Sequence, residues 1–115
     1  MKTEIYRDTV SEEELEKKIF YYNNSDNILS EWFYLNNQIH RSDGPSAIYY
    51  YKDGNIKEEW YCLNGNLHRD NGPAKIRYNE NRTIYSKEYW IKGKQIEDDL
   101  QIFLLETLEM ELEEM

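Results

Sequence analysis

Residues 60–74 read WYCLNGNLHRDNGPA, and residues 32–46 read WFYLNNQIHRSDGPS, 28 positions earlier in the chain. The chain aligns on itself at this offset without a gap, and ten positions are identical between the stretches 32–60 and 60–88. Two full copies and parts of two more cover residues 19–96. A fixed period of this length is typical of stacked supersecondary units, which mostly present binding surfaces.

Each copy predicts a pair of antiparallel strands. A short strand at residues 47–51 is followed by a turn at residues 52–55 (KDGN), and a longer strand covers residues 56–63 before Asn64-Gly65. Asp-Gly and Asn-Gly favour hairpins because they tolerate the positive φ of primed turns. Alternation along the longer strand predicts one face that holds Ile56, Trp60 and Cys62. The fold class is therefore mainly β, an antiparallel sheet of hairpin repeats with a 28-residue period.

A helix is predicted on each side of the repeats. Ser11 as N-cap, Glu14 three residues later and Val10 facing Leu15 indicate a short N-terminal helix that ends near residues 17–18. The second helix starts near Asp98 or Asp99 and carries an apolar stripe with a period near 3.6, formed by Leu100, Phe103, Leu104, Leu108 and Leu112. The chain is expected to be one domain over residues 1–115, divided into an N-terminal segment (1–18), the repeats (19–96) and an acidic C-terminal helix (97–115).

The charge is concentrated at the C-terminal end. The chain has 23 acidic and 14 basic residues, and the segment 97–115 holds eight of the acids and no base, so residues 1–96 carry 15 acids against 14 bases. This sign disfavours binding of the tail to phosphate backbones or to an anionic membrane. The single cysteine and the polar N-terminus predict a protein of the cytoplasm, or of the host-cell cytoplasm if a phage encodes it.

The segments HRSDGP at 40–45 and HRDNGP at 68–73 have two possible meanings. The two histidines could form a metal pair or an acid/base couple. Alternatively, each segment builds the corner between successive hairpins, with glycine and proline setting the backbone. Recurrence at equivalent positions favours the structural interpretation, because catalysis needs one asymmetric site. No catalytic, cofactor-binding or metal-binding residue is predicted, and the chain is not expected to be an enzyme.

The tyrosine-rich strands also allow two interpretations. The run Tyr49–Tyr51 could stack on nucleic-acid bases, with Lys75 and Arg77, near Tyr78, supplying positive charge. The preferred interpretation is packing within the sheet or against a protein partner. Cys62 lies in a predicted strand without an adjacent histidine or basic cluster, which predicts a buried structural thiol.

The pattern Trp-x-x-Leu-Asn-Gly-x-Leu-His-Arg-x-x-Gly-Pro-Ala at residues 60–74 resembles the divergent MORN-like repeats of giant viruses, phages and bacteria. The resemblance covers about two thirds of the chain. It implies hairpins laid side by side, a binding role and no catalytic residues. Some bacterial relatives are labelled antitoxin-like or immunity-like, and short acidic phage proteins often inhibit host defence machinery.

The sequence therefore predicts a non-catalytic protein-binding module. The expected role is a phage anti-defence inhibitor (anti-CRISPR-like) or immunity protein that blocks a basic, nucleic-acid-handling surface of a partner. The alternatives are a scaffold that self-associates and a nucleic-acid binder that uses its tyrosine-rich strands. The expected state is a monomer or small homo-oligomer, and the C-terminal helix either caps the sheet or binds the partner. The predicted partner-binding residues are Glu106, Glu109, Glu111, Glu113, Tyr49 and Tyr51.

Overall fold

The computed structural model describes residues 2–10 and 13–113 and is mainly β, as the sequence predicts. Within these two ranges, eleven strands precede one helix. The strands are β1 (Thr3–Val10), β2 (Glu13–Tyr21), β3 (Ile28–Leu35), β4 (Gln38–Ile39), β5 (Ala47–Tyr50), β6 (Ile56–Trp60), β7 (Cys62–Leu63), β8 (Asn66–Leu67), β9 (Lys75–Tyr78), β10 (Ile84–Ile91) and β11 (Lys94–Ile96). The helix is α1 (Asp99–Glu113).

The strands form an antiparallel meander in the order β1-β2-β3-β5-β6-β9-β10-β11. Two short arms leave this path. β4 folds back on the end of β3, and β7 pairs with β8 in a separate two-stranded ribbon. The segments that follow β4 and β8 return the chain to the main sheet, so these segments are the corners predicted from the His-Arg and Gly-Pro pattern.

Tight turns join the β7–β8 and β10–β11 pairs, because the turn residues adopt positive φ. Asn64 (φ 50°) and Gly65 (φ 86°) join β7 to β8, and Lys92 (φ 50°) and Gly93 (φ 81°) join β10 to β11. Two consecutive positive φ values define the primed turn whose twist matches that of the flanking strands. The Asn-Gly prediction is therefore confirmed at residues 64–65.

One expected strand is divided in two. The sequence predicts a continuous strand over residues 56–63, but β6 ends at Trp60 and β7 begins at Cys62. The amide of Tyr61 still donates to the carbonyl of Ala74 at 2.7 Å, but the next two residues pair with β8 in the ribbon and not with the main sheet. The prediction that Trp60 and Cys62 share one face of a single strand is wrong for this reason.

The two faces of the main sheet pack different sets of side chains. On one face, Ile19, Phe33, Ile76 and Tyr89 are all buried and form the centre of the core. On the other face, Trp32 and Trp60 lie on either side of Ala47 in register, and their rings meet edge-on with centroids 5.9 Å apart. Aromatic side chains therefore supply much of the packing on both faces.

The predicted N-terminal helix is wrong over the described residues, since Glu13–Tyr21 is the strand β2. This strand pairs with β1 on one side and with β3 on the other, and its residues Leu15, Ile19 and Tyr21 are buried. Burial on one face and two rows of backbone hydrogen bonds override the local helix preference of a Glu- and Lys-rich segment. Ser11, the expected N-cap, lies outside the described residues.

The C-terminal helix begins where the sequence predicts. Asp98 is the N-cap, because its side chain accepts the amide of Gln101 at 3.0 Å and its carbonyl accepts the amide of Ile102. Within the part of the chain that the structure describes, no helix combines the length and the apolar character needed to cross a bilayer.

Candidate functional site

Arg69 organises the second corner. Its guanidinium carbon lies 3.9 Å from the ring centroid of Tyr61, and its Nη1 donates to the carbonyl of Pro73 at 3.2 Å. The backbone of Gly72 covers the guanidinium, since a Cβ at Gly72 would lie only 3.0 Å from Nη1. The glycine of the motif is therefore the residue that lets the arginine lie flat between the backbone and an aromatic ring.

The same arrangement occurs at the equivalent positions of the preceding copy. The guanidinium carbon of Arg41 lies 4.4 Å from the ring centroid of Phe33, and its Nη1 donates to the carbonyl of Pro45 at 3.3 Å. A Cβ at Gly44 would lie 3.1 Å from the guanidinium carbon. Both corners thus join arginine, glycine and proline into one packed unit.

Each histidine of the motif connects a corner to the next hairpin. Nδ1 of His40 accepts the amide of Asn64 at 3.0 Å, and Nδ1 of His68 accepts the amide of Lys92 at 2.8 Å. This backbone bond places the ring proton on Nε2, which faces a carboxylate in both cases. A histidine with both nitrogens engaged in this way acts as a structural link rather than as a free base.

The carboxylates that meet the two histidines come from different places. Nε2 of His40 lies 2.7 Å from Oε2 of Glu13 on β2, whereas Nε2 of His68 lies 2.9 Å from Oδ1 of Asp70 in its own corner. The hydroxyl of Ser42 also donates to Glu13. This hydrogen bond and the one from His40 lower the pKa of the Glu13 carboxyl. The first corner is therefore tied to β2, a contact that the sequence pattern does not reveal.

Two tyrosines of the sheet donate to carboxylates that sequence reasoning missed. The hydroxyl of Tyr50 donates to Glu31 at 2.8 Å, and that of Tyr78 donates to Glu59. Burial, followed by the hydrogen bond to the carboxylate, raises the pKa of both phenols well above the usual value of 10.0. Glu31 and Glu59 occupy equivalent positions in successive copies, as the two tyrosines do, and this recurrence was the available signal.

The predicted partner-binding tyrosines are engaged within the sheet. The ring of Tyr49 packs against Trp32 and Trp60 with centroid distances of 5.5 and 6.0 Å. The hydroxyl of Tyr51 donates to the carbonyl of Tyr78 at 2.7 Å. Both side chains keep part of their surface accessible, but each has a structural role.

Cys62 is buried, with 3% of its surface exposed, as the sequence predicts for a structural thiol. Burial raises the pKa of the thiol, although a hydrogen bond with Ser46 acts in the opposite direction. A protonated, inaccessible thiol is a poor nucleophile.

Three residues of the predicted apolar stripe of α1 are exposed. Leu100, Phe103 and Leu104 are 67%, 63% and 58% exposed. Leu104 and Leu105 also line a shallow apolar groove with Ile91 and Ile96 of the sheet. The sheet therefore leaves most of these three exposed side chains uncovered, while the side chains of the other two stripe residues, Leu108 and Leu112, lie outside the described part of the structure.

Of the acidic residues predicted to bind a partner, Glu106 is exposed on α1. The side chains of Glu109, Glu111 and Glu113 lie outside the described part of the structure. Tyr49 and Tyr51 belong to the sheet region, so the predicted set divides between two elements. The apolar stripe beside Glu106 is visible in the sequence, but its periodicity alone does not distinguish a cap from a docking surface.

Across the described ranges 2–10 and 13–113, no group of three or more His, Cys, Asp or Glu side chains is arranged to hold a metal ion. The chain thus offers two surfaces with distinct chemistry: the paired arginine corners and the acidic helix with its apolar stripe. Comparison with protein-family models, with curated proteins and with solved structures finds no match to this chain.

Proposed function

We propose that this chain is a non-catalytic protein-binding module whose principal contact element is α1. The observation that carries the proposal is the exposure of Leu100, Phe103 and Leu104 on one helix. Three large apolar side chains in adjacent turns of a helix form the pattern that amphipathic helices use to enter a hydrophobic groove. A helix that served only to close the sheet would bury this stripe.

The negative charge of the C-terminal segment indicates the kind of partner. Residues 97–115 carry eight acids and no base, so the groove that receives α1 should be rimmed by lysine or arginine. Two copies of α1 packed side by side would double this negative charge at one place, which disfavours self-association through the helix. The same charge disfavours nucleic acid as the ligand of this element.

The proposal extends to the biological role. A small acidic binder that occupies a basic, nucleic-acid-handling surface would act as an inhibitor, either a phage anti-defence protein of the anti-CRISPR kind or an immunity protein. Such a binder competes with nucleic acid for positive charge, and residues 97–115 supply that charge complementarity.

The repeat is proposed to be a MORN-like unit that serves as the scaffold for α1. Support comes from hydrogen bonds that recur at equivalent positions of the two copies. Arg41 and Arg69 donate to Pro45 and Pro73, respectively. In the same way, the two histidine Nδ1 atoms each accept a backbone amide 24 residues further along the chain. The resemblance to MORN-like repeats implies a binding role for the chain.

Two other functions make different predictions. A self-associating scaffold would show a molar mass that rises with concentration in light scattering. A nucleic-acid binder that uses Tyr49 and Tyr51 would shift single-stranded oligonucleotides in a gel at low salt. The ring of Tyr49 already packs against Trp32 and Trp60, which favours a structural role for it.

The test compares partner capture by three forms of the chain from the cytoplasm of its native host. One form carries L100S, F103S and L104S on α1, and the control carries I84S and Y85S, which replace apolar residues exposed by 46% and 60% on β10. The proposal predicts one partner that the wild type and the control retain and the α1 variant loses, with affinity reduced by about 100-fold or more (about 2.7 kcal/mol).

A second variant tests the charge. Neutralising Glu106, Glu109, Glu111 and Glu113 to glutamine should weaken binding of the captured partner and flatten its dependence on salt. Equal capture by the α1 variant and the control, in proteins that remain folded, would refute α1 as the contact element. A salt dependence that is unchanged by the four glutamines would refute the basic rim of the partner.

A further inference from the structure

Besides the carboxylates that meet their histidines, the two corners differ in the contacts of their arginines. In the first corner, Nε of Arg41 donates to Oδ1 of Asp43 at 3.0 Å. The position equivalent to Asp43 in the second corner holds Asn71, which carries no charge. Among the residues that the structure describes, no carboxylate lies within ion-pairing distance of the Arg69 guanidinium, although Arg69, like Arg41, stacks on an aromatic ring and donates to a proline carbonyl.

The edge of Arg69 that lacks a partner is well defined. Nη1 is engaged by the carbonyl of Pro73, which leaves Nε and Nη2 on the opposite edge of the guanidinium. The ring of Tyr61 on one side and the backbone of Gly72 on the other hold the plane in place. Two parallel N–H groups in a fixed plane match the two oxygens of a carboxylate.

Arg69 lines a cleft of about 370 Å³. Both corners line it, and Leu63 and Tyr61 provide an apolar wall. This volume accommodates one or two side chains of a ligand. Asp43 and Asp70 also line the cleft, but the first is paired with Arg41 and the second with His68. Their presence favours a singly charged ligand over a phosphate dianion.

We infer that the cleft at Arg69 is a receptor site for a carboxylate of a protein ligand, an aspartate or glutamate side chain or a C-terminus. The ligand carboxylate takes the place that Asp43 occupies in the first corner, and Leu63 packs against its aliphatic part. The site lies on the corners and not on α1, so it goes beyond the proposed function and is tested independently of it.

The test uses sodium acetate as the probe and the arginine Nε–Hε resonances as the readout, at constant ionic strength set with sodium chloride. Acetate is expected to shift the Arg69 resonance in a saturable manner in the millimolar range. The Arg41 resonance serves as the internal control and should move by less than a fifth as much, because Asp43 already occupies its Nε. Sodium phosphate should bind no more tightly than acetate.

Two substitutions at one position separate the site from general effects of mutation. Asn71→Asp supplies an internal carboxylate and should weaken acetate binding at least tenfold, whereas Asn71→Ala leaves the arginine edge free and should change it by less than twofold. Equal shifts of Arg41 and Arg69, tighter binding of phosphate, or an affinity that Asn71→Asp leaves unchanged would each overturn the inference.

Sedimentation then identifies the source of the carboxylate. If a second copy supplies it, the wild type forms a concentration-dependent dimer that Asn71→Asp dissociates. If another protein supplies it, wild type and Asn71→Asp both sediment as monomers, while acetate still distinguishes them by NMR. A dimer that persists in the Asn71→Asp variant, together with an Arg69 resonance that acetate does not shift in the wild type, would contradict the inference.

Discussion

Replacing Gly72 by alanine tests the packing that explains the Gly-Pro element. The three atoms nearest to an added Cβ all belong to the guanidinium group of Arg69, at 3.0, 3.1 and 3.3 Å. Since Gly72 is buried and Arg69 lies against Tyr61, the guanidinium has to shift by a few tenths of an ångström to admit the Cβ. This shift would weaken its stacking on Tyr61 and its hydrogen bond to the carbonyl of Pro73.

The expected cost follows from these contacts. The cation–π contact at a partly exposed site contributes about 0.5–1 kcal/mol, and the hydrogen bond from a charged, half-buried group contributes about 1 kcal/mol. Alanine gains about 0.5 kcal/mol over glycine by restricting the unfolded chain, because φ of Gly72 is not positive. Gly72→Ala should therefore lower the free energy of unfolding by up to about 1 kcal/mol.

A double-mutant cycle with Arg69→Gln isolates the mechanism. In the Arg69→Gln background, Gly72→Ala should stabilise the protein by about 0.5 kcal/mol, because the atoms that the Cβ would meet are gone. Urea unfolding followed by tryptophan fluorescence measures all four proteins. Gly54→Ala is the control: Gly54 has φ +91° with open space around its Cβ, so its cost should be the same in both backgrounds. If Gly72→Ala changes the free energy of unfolding equally with and without Arg69, the added Cβ does not act on the guanidinium and the explanation is wrong.

The buried polar groups lead to three further predictions. His40→Ala should lower the free energy of unfolding, measured in urea, by about 2–3 kcal/mol and by more than His68→Ala does. The reason is that His40 is 6% exposed and bonds to Glu13, whereas Asp70, the partner of His68, is 84% exposed. Equal losses in the two variants would contradict this difference between the corners. The pKa of Tyr50 and of Tyr78 is raised in the folded state, so both phenols stay protonated at a pH where unfolded tyrosine ionises. Their contribution to the free energy of unfolding should therefore be complete below pH 10 and fall above it by up to about 1.4 kcal/mol per pH unit for each tyrosine. The double variant Tyr50→Phe, Tyr78→Phe should show a smaller slope. Cys62 should react with a thiol reagent about 100-fold or more slowly in the folded than in the urea-unfolded protein, and fast reaction would show that the thiol is accessible.

The β-sheet architecture was predictable because its signals are local. Asn64-Gly65 determines a primed turn by backbone conformation alone, and Asp98 caps α1 through a hydrogen bond to the nearby amide of Gln101. The repeated Gly-Pro element also indicated a corner. Each of these features depends on residues that are close in sequence, so no knowledge of the tertiary fold was required.

The features that were missed depend on distant partners. The segment at Glu13–Tyr21 has helix-forming residues, and it becomes a strand because β1 and β3 both pair with it. The hydrogen bond from His40 to Glu13 spans 27 residues. The exposure of the α1 stripe could not be deduced from its periodicity, because an amphipathic helix looks the same whether it packs on its own sheet or on a partner.

The most direct test of the account is to remove residues 97–115 and measure both the stability of the sheet and its affinity for the captured partner. Because Leu100, Phe103 and Leu104 are exposed in the intact chain, the free energy of unfolding should fall by no more than about 1 kcal/mol. The affinity for the partner should fall by about 100-fold or more. A truncated chain that unfolds, or one that stays folded and binds the partner as tightly as before, would contradict the claim that α1 is a binding element carried by an independent β-sheet scaffold.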